Sequence, residues 1–337
     1  MTTLVFLIED SLILWVSMSL IGTVFLIFFF IRFILHMAFS RRFDFHPKLK
    51  YFTIKDFPDM EMDPIEFKNQ RGYFLRGGFY YDDQRQPHRK LIVFSHGMGP
   101  GHLAYTHLIH TFVKKGYVVF AYDNLGCGLS EGKSIRGIPQ AISDLRDALM
   151  YVEKTTYAKL PKTLLGHSWG AYAVLRTARM NFKIAKIISI APFNDVGEML
   201  GKYIPWIKRF KWFININHQT MFGKLSTVTS SDIIQNTHTK TLVIAGEKDD
   251  DITLKGNYDL FIQSKNPLSK VYLAKNHRHN PYLSFRAETY VIDTILKGTA
   301  SLSKEKDNHV LDSFFNGIDY QWVGEHDSHI LEMIENF

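Results

Sequence analysis

Several things common in a chain of 337 residues are scarce here. There is one cysteine, Cys127, which excludes an intramolecular disulfide and a cysteine-based zinc site. A lone thiol suits any compartment; a small buried thiol in a reducing one is the expectation. No internal repeat or low-complexity tract breaks the chain. No basic run is interleaved with aromatics, and no nucleic-acid module is recognisable. The formal net charge of +7 therefore points to an anionic membrane surface ahead of nucleic acid. His107 and His110 lie on one predicted helix without a carboxylate or cysteine beside them, so no metal is implied. The glycines of "DNLGCGLSEG" are misplaced for a dinucleotide loop, so no organic cofactor is implied either.

Charge is missing altogether from residues 11–31, "SLILWVSMSLIGTVFLIFFFI". As a helix rising about 1.5 Å per residue, that stretch spans roughly 30 Å, the thickness of a hydrocarbon core. A cleaved signal peptide would want a basic start and a shorter apolar stretch. Here Glu9 and Asp10 come first, and the basic residues Arg32, Arg41, Arg42, Lys48 and Lys50 follow. The expectation is a single-pass cell-membrane protein with an anchor at 1–40. By the positive-inside rule, everything after Arg32 faces the cytoplasm.

Residues 41–65 are polar and proline-punctuated and read as a linker. Apolar runs ending at small residues then alternate with helical spacing. Strands are predicted near residues 66–68, 73–81, 90–97, 117–123, 162–168, 185–193, 239–249 and 270–276. Helices are predicted over residues 102–115, 137–154, 169–180 and 282–296. This order means a mostly parallel sheet with helices on both faces. Residues 193–238 are too long for an ordinary connection and read as an insertion, placed to cover the site as a lid. Residues 301–337 form an appended tail, helical from about Asp327.

Against that order of elements, "GHSWG" puts Ser168 at a strand end where a helix begins. A tight turn there lifts the hydroxyl above the sheet, with the helix N-terminus behind it. A nucleophilic serine needs a base, an acid to orient the base, and donors for the oxyanion. "SHGMGPG" after the third strand offers the Met98 N–H, and the Trp169 N–H is the second donor. Flanking that turn, His96 and His102 could touch substrate or serve structure. Asp249 leads as the acid, ahead of Asp250 and Asp251, which could cap a helix, and of Asp195. In "KNHRHNPY", His277 and His279 point to opposite sides of an extended loop, so one serves as base. His279, just before Asn280-Pro281 and the last helix, is preferred.

With these residues in place, the chain from about 66 to 300 resembles the α/β-hydrolase superfamily of serine esterases and lipases. It is similar in particular to bacterial hydrolases, some membrane-anchored, through "HGMGPGHLAYTH", "YDNLGCGLSEGKS" and "HNPY". The resemblance implies that Ser168 attacks an acyl carbonyl, His279 takes its proton, Asp249 holds His279, and water releases the acid. A small-molecule or lipid acyl ester or thioester is the implied substrate. A silent module binding an acylated ligand, or a serine peptidase, are the alternatives. In the insertion, Trp206, Phe210, Trp212 and Phe213 mix with Lys202, Lys208, Arg209 and Lys211. That mixture fits a membrane interface, or a lid that solvates its cations.

Overall fold

The computed structural model describes residues 2–85, 88 and 90–337, with side chains from Leu12 onward except that of Arg85. Met1 of the expected anchor, and residues 86, 87 and 89 of the expected domain, lie outside the described residues, as do the side chains of Glu9, Asp10 and Ser11. One helix, α1 (Thr2–Phe39), precedes a single eight-stranded sheet. The strands are β1 (Glu61–Lys68), β2 (Phe74–Tyr81), β3 (Leu91–Ser95), β4 (Val118–Tyr122), β5 (Lys162–His167), β6 (Lys186–Ile190), β7 (Lys240–Gly246) and β8 (Ser269–Ala274). Their spatial order is β1-β2-β4-β3-β5-β6-β7-β8. The pairs β1–β2 and β2–β4 are antiparallel; the others are parallel.

The inner strands read as unbroken apolar runs because both faces are covered. On β3, Leu91 and Val93 enter one core while Ile92 and Phe94 enter the other. Helix α2 (Thr106–Lys114) sends Leu108, Ile109, Phe112 and Val113 into the second core. Helices α3 (Gln140–Val152) and α4 (Trp169–Arg176) fill the first, with the insertion beyond them. The tail helix Ser328–Asn336 completes the second core through Ile330, Leu331 and Ile334. The tail is thus part of the domain wall.

Three boundaries differ from the sequence reading. The first strand starts at Glu61, because the register with β2 runs back to Tyr81. The stretch after α1 is stitched down: Phe43 bridges to Cys127, and Arg42 donates to the carbonyls of Ser130, Gly132 and Gly128. The apolar helix also outlasts the expected span. Exposed apolar side chains run from Leu12 through to Phe33 and Met37, whereas Ile31, Leu35 and Phe39 are buried in the first core. Each such burial is worth about 1.5–3 kcal/mol.

The insertion forms α5 (Val196–Tyr203), α6 (Lys211–Phe222) and α7 (Ser230–Asn236), and α6 packs on α1. Both its ends are tied to α4 by Arg176, which is fully buried. That guanidinium donates to Asn194 O, Val228 O and Ser230 Oγ and lies 3.5 Å from the centre of the Tyr172 ring. Five donors in a fixed fork let one residue hold several carbonyls. The expected cationic face of the insertion is largely neutralised internally. Lys202 pairs with Asp251, Lys208 with Glu198, and Lys211 with both Asp195 and Glu198. Trp206 and Trp212 stay exposed, while Phe210 and Phe213 lean on the core.

Candidate active site

Ser168 stands between β5 and α4 with φ 53° and ψ −110°, a left-handed conformation rare for a residue with a side chain. The turn is this sharp because α4 must start hard against β3. A β-carbon at Gly170 would fall inside the Ser95 carbonyl, so only glycine fits. The elbow is pinned by Ser168 N–H donating to Ile190 O at 2.8 Å.

Asp249 follows β7 and is buried. Its Oδ1 accepts the N–H groups of Asp251 and Ile252, both at 2.8 Å, and Tyr258 O–H approaches Oδ2 at 3.3 Å. Burial pushes this carboxyl up, but His279 and the two N–H groups outweigh that and hold it below its ordinary value. His279 Nδ1 lies 2.9 Å from Asp249 Oδ2, and its Nε2 lies 2.9 Å from Ser168 Oγ. For His279, burial works against the charged form, and Asp249 more than offsets it, so its pKa is raised.

The other candidates lie elsewhere. Asp195 caps α5 by accepting from Glu198 N–H at 2.9 Å. Asp250 is exposed, Asp251 pairs with Lys202, and neither caps a helix; the Asp249 carboxylate itself organises that turn. His277 points away, between Glu288 at 3.3 Å and Asp327 of the tail at 3.2 Å. The two carboxylates raise its pKa, Glu288 foremost.

Met98 follows Gly97, which rests on the elbow: a β-carbon there would sit 3.5 Å from Ser168 Cβ. Trp169 N–H heads α4, directly after Ser168. Among the described residues, neither the Met98 nor the Trp169 N–H is paired with a protein acceptor. His96 touches no open space. Its Nε2 accepts from Asn124 N–H at 2.9 Å, so its Nδ1–H donates to Gly97 O at 2.6 Å. Burial keeps it neutral. His102 is held by Asp123 and Tyr80. His110 pairs with Asp59, and His107 packs between the Phe52 and Phe57 rings. Cys127 is buried, which pushes its thiol up and makes it inert.

Two supports were not legible in the sequence. Gly97 N–H donates to Tyr105 Oη at 3.1 Å; Tyr105 O–H donates to His167 Nδ1 at 2.9 Å; His167 Nε2–H donates to His279 O at 2.9 Å. Burial pushes His167 down to about 3, so it remains a neutral relay between the Gly97 turn, the Ser168 elbow and the His279 loop. On the other side, buried Glu288 accepts Arg278 N–H at 2.9 Å and Asn280 N–H at 2.5 Å, the two amides flanking His279.

Residues 86–232 match the family model described as serine aminopeptidase, S33. A monoglyceride lipase homolog of Monkeypox virus is 26% identical over 230 residues, covering 57% of this chain and 83% of that protein. Human monoglyceride lipase is 35% identical over 111 residues, covering 31% of this chain and 35% of that enzyme. Thus the chain spans about a third of the human enzyme's length. Among solved structures, an esterase of Pyrococcus furiosus superposes with a TM-score of 0.55 at 16% identity, covering 78% of this chain and 98% of that one. The chain has the α/β-hydrolase fold. In sequence it is similar to hydrolases of the esterase and lipase type.

Proposed function

We propose that the protein is a membrane-tethered serine hydrolase that cleaves a carboxylic ester or thioester of a hydrophobic acyl group. The observation that carries this reading is the relay from Asp249 through His279 to Ser168, with 2.9 Å at each step. Ser168 Oγ attacks the acyl carbonyl as His279 Nε2 takes its proton. Asp249 holds the imidazole with Nδ1–H toward it and stabilises the imidazolium. The oxyanion develops beside the Met98 and Trp169 N–H groups at the positive end of α4. Protonated His279 then gives its proton to the leaving alcohol or thiol. Water, activated by the same imidazole, releases the acid.

The lipid character of the substrate rests on two supports. The matched relatives are named as lipases of monoglycerides, and α1 is long and apolar enough to cross a membrane. Residues 193–238 serve as the lid, presenting exposed Trp206 and Trp212. The domain faces the cytoplasm, following the basic residues after the span. The family description favours a second reading, a peptidase acting at a chain N-terminus.

Fluorophosphonate labelling of membranes carrying the wild type, Ser168→Ala, His279→Ala and His277→Ala tests the mechanism. Loss of label in the first two variants and its retention in His277→Ala is expected. An unlabelled wild type, in detergent as well, sinks the reading in favour of a silent binding module. Parallel turnover of p-nitrophenyl acyl esters and aminoacyl p-nitroanilides separates esterase from peptidase.

A further inference from the structure

Where α1 meets α6 there is a cavity of about 110 Å³, apart from Ser168, His279 and Asp249. That is room for a few waters or one phosphate-sized group. Its rim carries Arg32, His36 and Arg136, all exposed and none of them paired with another described residue. Its wall carries Asn217 and His218, which are 0% and 2% exposed. Among the described residues, Asn217 Oδ1 and His218 Nδ1 have no hydrogen-bond partner. Buried polar atoms are normally paired, so these two mark a place where a polar ligand belongs. Arg136 adds an independent sign: its φ of 60° is a left-handed conformation held by a residue with a long side chain. Position supplies the rest. The uncharged stretch of α1 ends at Ile31 and Arg32 is the first charge after it, while exposed apolar side chains continue to Phe33 and Met37. That is the depth at which lipid headgroups lie.

We propose that this cavity binds the headgroup of an anionic phospholipid whose phosphodiester is esterified to a hydroxyl-bearing alcohol. Arg32 and Arg136 take the phosphate oxygens from the rim, and His218 Nδ1–H donates to one of them from below. Asn217 Oδ1 accepts from the alcohol's hydroxyl. His36 adds positive field when protonated. Burial alone pushes His218 down to about 4, so in the empty site its imidazole is a neutral donor. The site touches the hydrolase machinery through Gly137, which lines the cavity: its neighbour Ile138 accepts the Trp169 indole N–H at 2.5 Å. Occupancy is independent of the reaction proposed above.

The test is titration calorimetry on the full chain in an uncharged detergent micelle. The probes are dihexanoyl phosphatidylglycerol, dihexanoyl phosphatidylcholine and free glycerol phosphate. Saturable binding of the phosphatidylglycerol, about tenfold tighter than of either other probe, is expected. Arg136→Gln and His218→Gln should each weaken it about tenfold. Lys133→Gln, which removes an exposed cation outside the cavity, should leave it unchanged. Equal binding of the two lipids overturns the proposal, as does a Lys133→Gln loss equal to that of Arg136→Gln, which would reduce the effect to general charge attraction. Free glycerol phosphate binding as tightly as the lipid overturns the lipid assignment. Because Arg136 is exposed, its variant remains readable should His218→Gln fail to fold.

Discussion

Two histidine–aspartate pairs, on opposite sides of the same sheet edge strand order, invite comparison. In one, His279 Nδ1 faces Asp249 at 2.9 Å; in the other, His102 Nδ1 faces Asp123 at 2.6 Å. Each aspartate follows a strand, β7 or β4, and each accepts two backbone N–H groups. The pairs part company at Nε2. His279 presents it to Ser168 Oγ, whereas His102 presents it to Tyr80 Oη at 2.8 Å. The His279 side chain keeps 14% of its surface exposed, and His102 keeps 1%. Burial and the nearby Asp123 push the Tyr80 phenol far up, so it keeps its proton. A histidine–aspartate pair is therefore chemically neutral information. The third partner and access to a substrate decide whether it activates a nucleophile or closes a core.

Breaking the pairs in turn sharpens this contrast. Ser168→Ala or His279→Ala should lower kcat about 10⁶-fold in an ester assay; the melting temperature should stay nearly unchanged in Ser168→Ala and fall in His279→Ala, which strips buried Asp249 of its partner. Asp249→Asn should cost about 10⁴-fold in kcat. It should also move the acid limb of the pH profile. The working form of His279 is neutral and its pKa is raised above the ordinary 6.5, so kcat/KM should rise with pH through a midpoint above 6.5. Without the Asp249 charge that midpoint should fall. The same raised pKa means that the pair's contribution to stability is fully present below about pH 6.5 and fades as pH rises through the folded-state value. A kcat/KM limb below pH 6 in the wild type would contradict this assignment.

At the second pair the readout should invert. His102→Ala leaves Asp123 buried without its partner, at about 3–5 kcal/mol. Calorimetry should show the lowered melting temperature, while kcat well below it changes by less than about tenfold. The smallest effect should come from Tyr105→Phe, which removes the two hydrogen bonds that link Gly97 to His167. Each neutral hydrogen bond is worth about 0.5–1.5 kcal/mol, and only part of that reaches the transition state, so kcat should fall roughly two- to tenfold with KM little changed. A larger KM effect would mean that Tyr105 touches the substrate.

The sheet and the cluster that gathers Ser168, His279 and Asp249 were legible in the sequence for a physical reason. Buried parallel strands are apolar on both faces, and a strand-to-helix elbow forces glycine at fixed spacing around Ser168. Such constraints are local and leave local signatures. What stayed hidden depends on contacts between distant segments. His167 occupies the free position of the motif, and nothing near it announces that Tyr105 and the His279 carbonyl will be its partners. Glu288 looks like an ordinary first-turn residue of the last helix until the base loop folds over it. The tail's fate was equally silent: Ile330, Leu331 and Ile334 show an apolar stripe, but the core it joins is assembled from strands and helices far back along the chain. The lysines of the insertion read as a cationic surface because their carboxylate partners, Asp195, Glu198 and Asp251, come from other turns of the chain.

Helix α1 has a consequence for how this molecule can be made and handled. Ile31, Leu35 and Phe39 are built into the first core, whose members reach as far along the chain as Phe261. Cutting after residue 40 would not release an intact domain. It would strip a strip of wall from the domain and leave an oily scar where the helix lay. Synthesis faces the same fact in time: the first piece of the interior is made before any strand of the sheet, and it must wait for the rest to arrive. A soluble version should keep the chain from Ile31 onward and replace only the exposed apolar side chains upstream and on the outer face of that last stretch, Phe33 and Met37 among them.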